Sequence, residues 1–340
     1  MSGQKYISKV IIASAFVLII WGWVPKIGYG SGLQSEIIFP FQDQHVHGST
    51  LVELPNGDLL AGWFQGSGER WADDVKIMGA RKKADVESWS DPFLLAEVEA
   101  FPDINPVLFV DNKDRLWLMW YTVIANQWET SLIRYRISND YMRQTCAPVW
   151  NWQEVLHVKP GNKTERGIQP DDIFVRSVAE QLKQYGEYLR KSQNLDTVPE
   201  RWLDHAEYIL AMASGENMIK SGRVYQDDGT YESRELGYPY FRRMGWQTRN
   251  KPFITDTGRI IVPLYSDGFS FSLMAITDNG GETWHFSSPL VGAGNIQPAL
   301  AMTGEGDLVA FMRDNGPPPK RLHISRSTND GKTWSLVKDS

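Results

Sequence analysis

Apolar positions along most of the chain come in short blocks, each preceded by a turn sequence. Leu59-Leu60-Ala61-Gly62-Trp63 follows Asn56-Gly57-Asp58, and Leu116-Trp117-Leu118-Met119-Trp120 follows Lys113-Asp114-Arg115. Ile260-Ile261-Val262 follows Thr257-Gly258-Arg259, and Leu308-Val309-Ala310-Phe311 follows Glu305-Gly306-Asp307. Upstream of each turn lies a second apolar stretch, opening on His47-Gly48-Ser49, Asn105-Pro106, Lys251-Pro252 or Gln297-Pro298. Two such stretches joined by a tight turn predict a β-hairpin, because Gly and Asn supply the positive φ that the turn requires. Hairpins recurring at roughly 40 to 50 residues predict the blades of a β-propeller.

The last two units also end alike. Thr277-Asp278-Asn279-Gly280-Gly281-Glu282-Thr283-Trp284 and Ser327-Thr328-Asn329-Asp330-Gly331-Lys332-Thr333-Trp334 fit the Asp-box turn, S/T-x-D-x-G-x-T-W, with Asn in place of Asp. A short polar side chain caps this turn, Gly permits its backbone and Trp packs between strands, so the motif is structural. Ser88-Trp89-Ser90 reads as a worn third copy.

Between the second and third units the period changes. Phe174, Val178, Leu182, Tyr185 and Leu189 recur at helical spacing behind Asp171 and Asp172, which are placed to cap the start. Pro199 reads as the first residue of a second helix, with Trp202, Ala206, Ile209 and Ala213 on one face. Residues 171 to about 220 are therefore expected to form a helical insertion leaning on the propeller.

Composition narrows the partners. A net charge of -6 and the scattered Lys and Arg provide no basic field, which argues against nucleic acid. Lys5 and Lys9, the apolar run Val10 to Val24, and Gly28 and Gly30 have the three parts of a secretory signal, giving residues 1–30 as a signal peptide. A membrane tether is the alternative for a run slightly short of the roughly 20 residues that span a bilayer. The expected location is thus the periplasm or the cell exterior. Cys146 is the sole cysteine, so no intrachain disulfide or multi-cysteine metal site forms. Asn162-Lys163-Thr164 fits a glycosylation sequon.

On these repeats and boxes, from Gln44 to Trp334 outside the helical insertion, the sequence resembles the sialidase superfamily, and more closely the bacterial sialidase-like proteins with BNR repeats. The resemblance implies an all-β, six-bladed propeller over 33–340 with a central substrate funnel. Signal and insertion leave chain for about five blades at about 45 residues each, so the last blade is expected to be missing.

The resemblance also implies site residues. The first arginine of the family's carboxylate-binding triad falls on His47, a group able to act as acid, base or donor. Arg313, in Phe311-Met312-Arg313-Asp314-Asn315, looks like the second. Gln297 stands at or beside the position of the family glutamate that activates the tyrosine nucleophile; that tyrosine and the third arginine would lie beyond Ser340. In the loop Glu69 to Asp74, Asp73 is the candidate acid/base and Glu69 its reserve. Arg249, Tyr265 and Asp267 enter at inner positions of the next repeat, and His45 shares a strand face with His47.

No cofactor or metal is expected, since His45 and His47 lack carboxylates at ligand spacing. The expected partner is an acidic glycan. The first functional expectation is a sialidase-like glycoside hydrolase. One alternative is a lyase or His-dependent glycosidase on a uronic-acid polymer, in which His47 takes a proton, Tyr265 protonates the leaving oxygen and Arg313 neutralises the uronate. The other is a noncatalytic carbohydrate-binding propeller.

Overall fold

A computed structural model describes residues 35–142, 147–161, 171–214, 219–225, 230–237, 243–316, 318 and 320–340, with the backbone alone for 219–225 and 231–237. The expected signal or tether at 1–30, Cys146 and the sequon at 162–164 lie outside these residues. The chain divides into two units, Met1–Pro40 and Phe41–Ser340, and the strands and helices named below all belong to the second.

The predicted hairpins form, and each grows into an antiparallel blade. Blade one runs β1 (His45–Glu53), β2 (Leu59–Gly66), β3 (Lys76–Lys82) and β4 (Phe93–Ala96). Blade two runs β5 (Asp103–Val110), β6 (Leu116–Val123), β7 (Ser131–Ser138) and β8 (Trp152–Val155). After an isolated two-stranded hairpin, β9 (Ile219–Tyr225) and β10 (Tyr231–Gly237), comes blade three. Its inner edge is split into β11 (Gln247–Thr248) and β12 (Phe253–Ile254), beside β13 (Ile260–Ser266), β14 (Phe271–Thr277) and β15 (His285–Phe286). Blade four runs β16 (Asn295–Met302), β17 (Leu308–Asp314), β18 (His323–Ser327) and β19 (Lys338–Asp339).

The expectation of six blades is not met: among the described residues there are four, with two helices. The described residues between blades two and three form helices and a lone hairpin.

The strands with unbroken apolar blocks in blades two and three are buried on both faces: every residue of β6, β13 and β14 is buried. Across the strands of blade two, side chains stack. Phe109, Trp117 and Tyr135 form a column with ring centroids 5.5 and 5.4 Å apart. Each Asp-box ties its blade to the one before it. Tyr135 donates to the Gly281 carbonyl at 3.1 Å, and Gly331 lies against Ile261.

Helix α1 (Ile173–Ser192) begins as expected, with the Asp172 carboxylate accepting from the Val175 N–H at 3.1 Å. Its apolar face buries Phe174, Val178, Leu182 and Tyr185, with Phe174 against Phe269 and Phe271 of blade three. Helix α2 (Glu200–Ser214) packs Trp202 onto Tyr185 at 4.8 Å. Pro199 precedes the helix rather than opening it, since its carbonyl accepts from the Trp202 and Leu203 N–H groups. Among the described residues no helix is long and apolar enough to cross a membrane.

Candidate functional site

The inner strands share one construction. In β1, β5 and β16 the register slips once, between His47 and Thr50, Ile104 and Val107, and Ile296 and Ala299. At each slip one residue takes a left-handed backbone: Gly48 (φ 64°), Asn105 (49°) and Gln297 (53°). A bulge of this kind turns a side chain out of the pleat. Prolines at 106 and 298 follow two of these residues, and Pro252 sits where blade three's inner edge divides. A residue without an N–H is tolerated where the ladder is already broken.

The bulges open on an axial cavity of about 530 Å³ to which all four blades contribute. Blade one supplies His47, Phe64 and Glu69; blade two supplies Asn105, Tyr121, Trp128 and Glu129. From blade three come Arg249, Tyr265 and Asp267, and from blade four Gln297, Arg313 and Asn315. His47, Arg249, Tyr265, Asp267, Gln297 and Arg313, six of the residues expected from sequence, therefore face one space.

The other two lie apart. Asp73 is exposed and does not line the cavity; Glu69, from the same loop, does. The neighbouring Asp74 accepts from the Ser67 N–H at 3.0 Å and from its hydroxyl at 2.7 Å, which closes the loop beside Asp73. His45 is also outside the lining, with Nε2 3.5 Å from a Glu69 carboxylate oxygen. Its ring is 5.8 Å from that of His47, and both rest on Phe64.

Asn105, Tyr121 and Glu129 escaped the sequence reading. The Asn105-Pro106 and Gln297-Pro298 pairs carried the signal for Asn105, because both mark the same bulge.

Positioning contacts cross the blade boundaries. Arg249 Nη1 of blade three donates to Asn105 Oδ1 of blade two at 3.1 Å, and within blade two Asn105 Nδ2 donates to the Tyr121 hydroxyl at 3.1 Å. Asn250 Nδ2 donates to the Gln297 and Pro298 carbonyls, both at 3.0 Å, tying blade three to the bulge of blade four.

Three lining groups titrate above their usual range, and the first is the Tyr121 hydroxyl, raised by burial and then by Tyr265 and Asp267. Burial and then the charge of Glu129 push the Asp267 carboxyl up to about 6, against a hydrogen bond from Gln247 and the charges of Arg313 and Arg70. Burial, reinforced by Asp267, raises the Tyr265 hydroxyl well above the ordinary phenol range, although Gln297, Tyr121 and Arg249 oppose the shift. Near pH 6 the cavity thus holds two neutral phenols, a carboxyl at the midpoint of its titration and two arginines.

Strand alternation gives the end of β17 a second role. Arg313 and Asn315 face the axial cavity, whereas Asp314 and Gly316 face a smaller one of about 270 Å³ bordered by Tyr185, Trp202 and His205 of the helices.

Comparison with known proteins agrees with this architecture. No curated protein matches the chain. Among solved structures it is similar to a protein of unknown function from Dyadobacter fermentans DSM 18053, at 14% identity and a TM-score of 0.55, covering 89% of this chain and 71% of that one. It is also similar to the Hadza microbial sialidase Hz136, at 12% identity and a TM-score of 0.51, covering 86% of this chain and 46% of that one. At such identities the likeness establishes the fold, and activity has to be argued from the site itself. The model of the BNR repeat-like domain matches residues 57–171 and 226–340, more than half of the sequence. With four blades, two Asp-boxes and this match in hand, the chain belongs to the BNR repeat-like domain family and is a sialidase-like propeller.

Proposed function

We propose that this protein is a glycoside hydrolase of the sialidase type whose axial cavity takes an acidic sugar. The observation that carries the reading is the convergence of Arg249 and Arg313, from neighbouring blades, on one cavity that also holds Asp267. Guanidinium forks match a carboxylate, and a carboxyl titrating near 6 is suited to donate a proton to a glycosidic oxygen. In this scheme Arg313 and Arg249 hold the sugar carboxylate and Asp267 acts as the acid. Glu69, from blade one, directs a water to the opposite side of the bond, while His47 and Gln297 shape the rim. The likeness of the fold to a microbial sialidase supports the substrate class.

Export, through the segment at 1–30, belongs to the same reading, as does the six-bladed ring of the sialidase type. A second reading, a noncatalytic glycan-binding propeller, is favoured by one observation. Burial holds Tyr265 neutral and Gln297 cannot accept a proton, so this pair supplies no activated nucleophile of the usual kind.

A fluorogenic glycoside of N-acetylneuraminic acid, assayed beside a polyuronate, separates the possibilities. Release of the fluorophore, lost in Arg313→Ala and Asp267→Asn, is the expected result. An unsaturated, ultraviolet-absorbing product from the polyuronate would instead assign a lyase with His47 as base. Binding without turnover would assign the binding module, and absence of both binding and turnover for every acidic probe would overturn the acidic-sugar assignment.

A further inference from the structure

Arg249 and Arg313 line the axial cavity, and neither forms an ion pair among the described residues, although Glu69, Glu129 and Asp267 border the same space. Arg81, Arg115 and Arg259, which tie strands and turns together, are by contrast neutralised. Asp58 lies 3.4 Å from the first, Asp111 2.7 Å from the second and Asp278 2.6 Å from the third.

Arg249 is held by an amide instead. Its Nη1 donates to Asn105 Oδ1 at 3.1 Å, and its other N–H groups have no hydrogen-bond partner among the described residues. A guanidinium carries donors only, so the oxygen of the Asn105 amide is the atom that faces Arg249, and the amide nitrogen donates to the Tyr121 hydroxyl. The preceding residue is held from the same point, because Thr248 Oγ1 donates to the Asn105 carbonyl at 3.2 Å. Asn105 thus grips the 248–249 pair of blade three through its main chain and its side chain at once. It has little freedom of its own. It is buried, it holds a left-handed φ of 49°, and a Cβ on Gly48 would come within 2.6 Å of its Oδ1.

The choice of an amide has an electrostatic consequence. A carboxylate at this point would hold the guanidinium more strongly but would cancel its charge, and a carboxylate ligand would then have to compete with an internal ion pair. A neutral acceptor fixes the direction of the fork and leaves its charge for the ligand.

We infer that Asn105 is the positioning residue for Arg249 and that its neutrality sets the preference of the cavity for an anionic ligand group, a sugar carboxylate first. The identity of that ligand rests on the acidic-sugar reading, whereas the link between Asn105 and Arg249 does not.

Two measurements test the inference separately. N-acetylneuraminic acid and glucuronic acid are titrated calorimetrically at neutral pH against the wild type and Asn105→Asp, a substitution that keeps the size of the side chain and suits a left-handed backbone. Affinity for an acid that binds the wild type is expected to fall by about tenfold or more. Equal affinity overturns the inference, since amide and carboxylate would then be interchangeable. Asn105→Gly keeps the backbone and removes the acceptor without adding charge. It is expected to bind the same acid several-fold more weakly, and undiminished binding overturns the positioning role.

In the ligand-free protein, Asn105→Asp is introduced into the wild type and into Arg249→Met, and each is followed by denaturant unfolding. The new carboxylate is paired when Arg249 is present and buried alone when it is absent, so the substitution is expected to lower the midpoint further in the Arg249→Met background. A packing role for Asn105 would give the same change in both backgrounds, and that result overturns the link. If neither acid binds the wild type, the acidic-sugar reading falls, while the unfolding cycle still judges Asn105 and Arg249.

Discussion

Gly48, Asn105 and Gln297 hold the same unusual backbone conformation at equivalent points of three blades, and the cavity wall depends on them. At Gly48 any side chain meets the Asn105 oxygen at 2.6 Å and the Phe64 ring at 2.7 Å. Gly48→Ala is therefore expected to cost more than about 1 kcal/mol, read as a lower denaturant midpoint, and to weaken ligand binding by displacing Asn105. Asn105→Gly keeps the left-handed backbone and removes the amide, so it should fold and yet bind an acidic sugar several-fold more weakly in calorimetry.

The sign of the Asp267 effect is also fixed. Its folded value of about 6 lies above the ordinary 3.8, so the fold retains a proton that the unfolded chain loses. The associated stability is fully present below the ordinary value and disappears as pH rises through about 6. Melting temperature should fall across that interval, and affinity for an anion should fall with it as Asp267 ionises. Asp267→Asn should flatten its share of both profiles.

Among the elements, the Asp-boxes show why Asn serves where the motif names Asp. Asn329 Oδ1 accepts from Ser327 Oγ at 3.0 Å and from the Thr333 N–H at 2.9 Å, while its Nδ2 donates to Thr333 Oγ1 at 2.7 Å. Asn279 makes the same three bonds with Thr277 and Thr283 at 2.9, 3.0 and 2.9 Å. The amide donor replaces what a carboxylate would have accepted from the Thr hydroxyl. Asn329→Ala should then cost about 1–3 kcal/mol in denaturant unfolding, through unpaired turn groups. Asn329→Asp should be nearly neutral, because the hydroxyl rotates to donate instead.

For the helices, the apolar period and the Asp172 cap were both legible, as local signals are. Pro199 was displaced by one position, since a proline suits the residue before the first turn as well as the first turn itself.

Over the whole molecule, the helical pair is an integral part of blades three and four. Gln181 donates to the Pro289 carbonyl at 2.6 Å and accepts from the Val291 N–H at 3.0 Å, and Phe174 lies among Phe269 and Phe271. Removing that ring by Phe174→Ala should cost about 3–5 kcal/mol, measured by denaturant unfolding. The effect should extend to the cavity, because Phe269 stands two residues from Asp267.

What the amino-acid sequence determined by itself was local: hairpins from apolar blocks and turn residues, two boxes and a helical period; the six residues that meet in the axial cavity came from the family resemblance and from their places in the repeats. Those features depend on near neighbours in the chain, and propeller geometry brings inner-strand starts together once the blades exist. Only the tertiary structure decided that four blades form among the described residues, that Glu69 rather than Asp73 lines the cavity, and that Asn105, Tyr121 and Glu129 complete it. Each of these depends on contacts between residues far apart in sequence. The Arg249–Asn105 bond spans 144 positions, and no spacing within a single repeat encodes it.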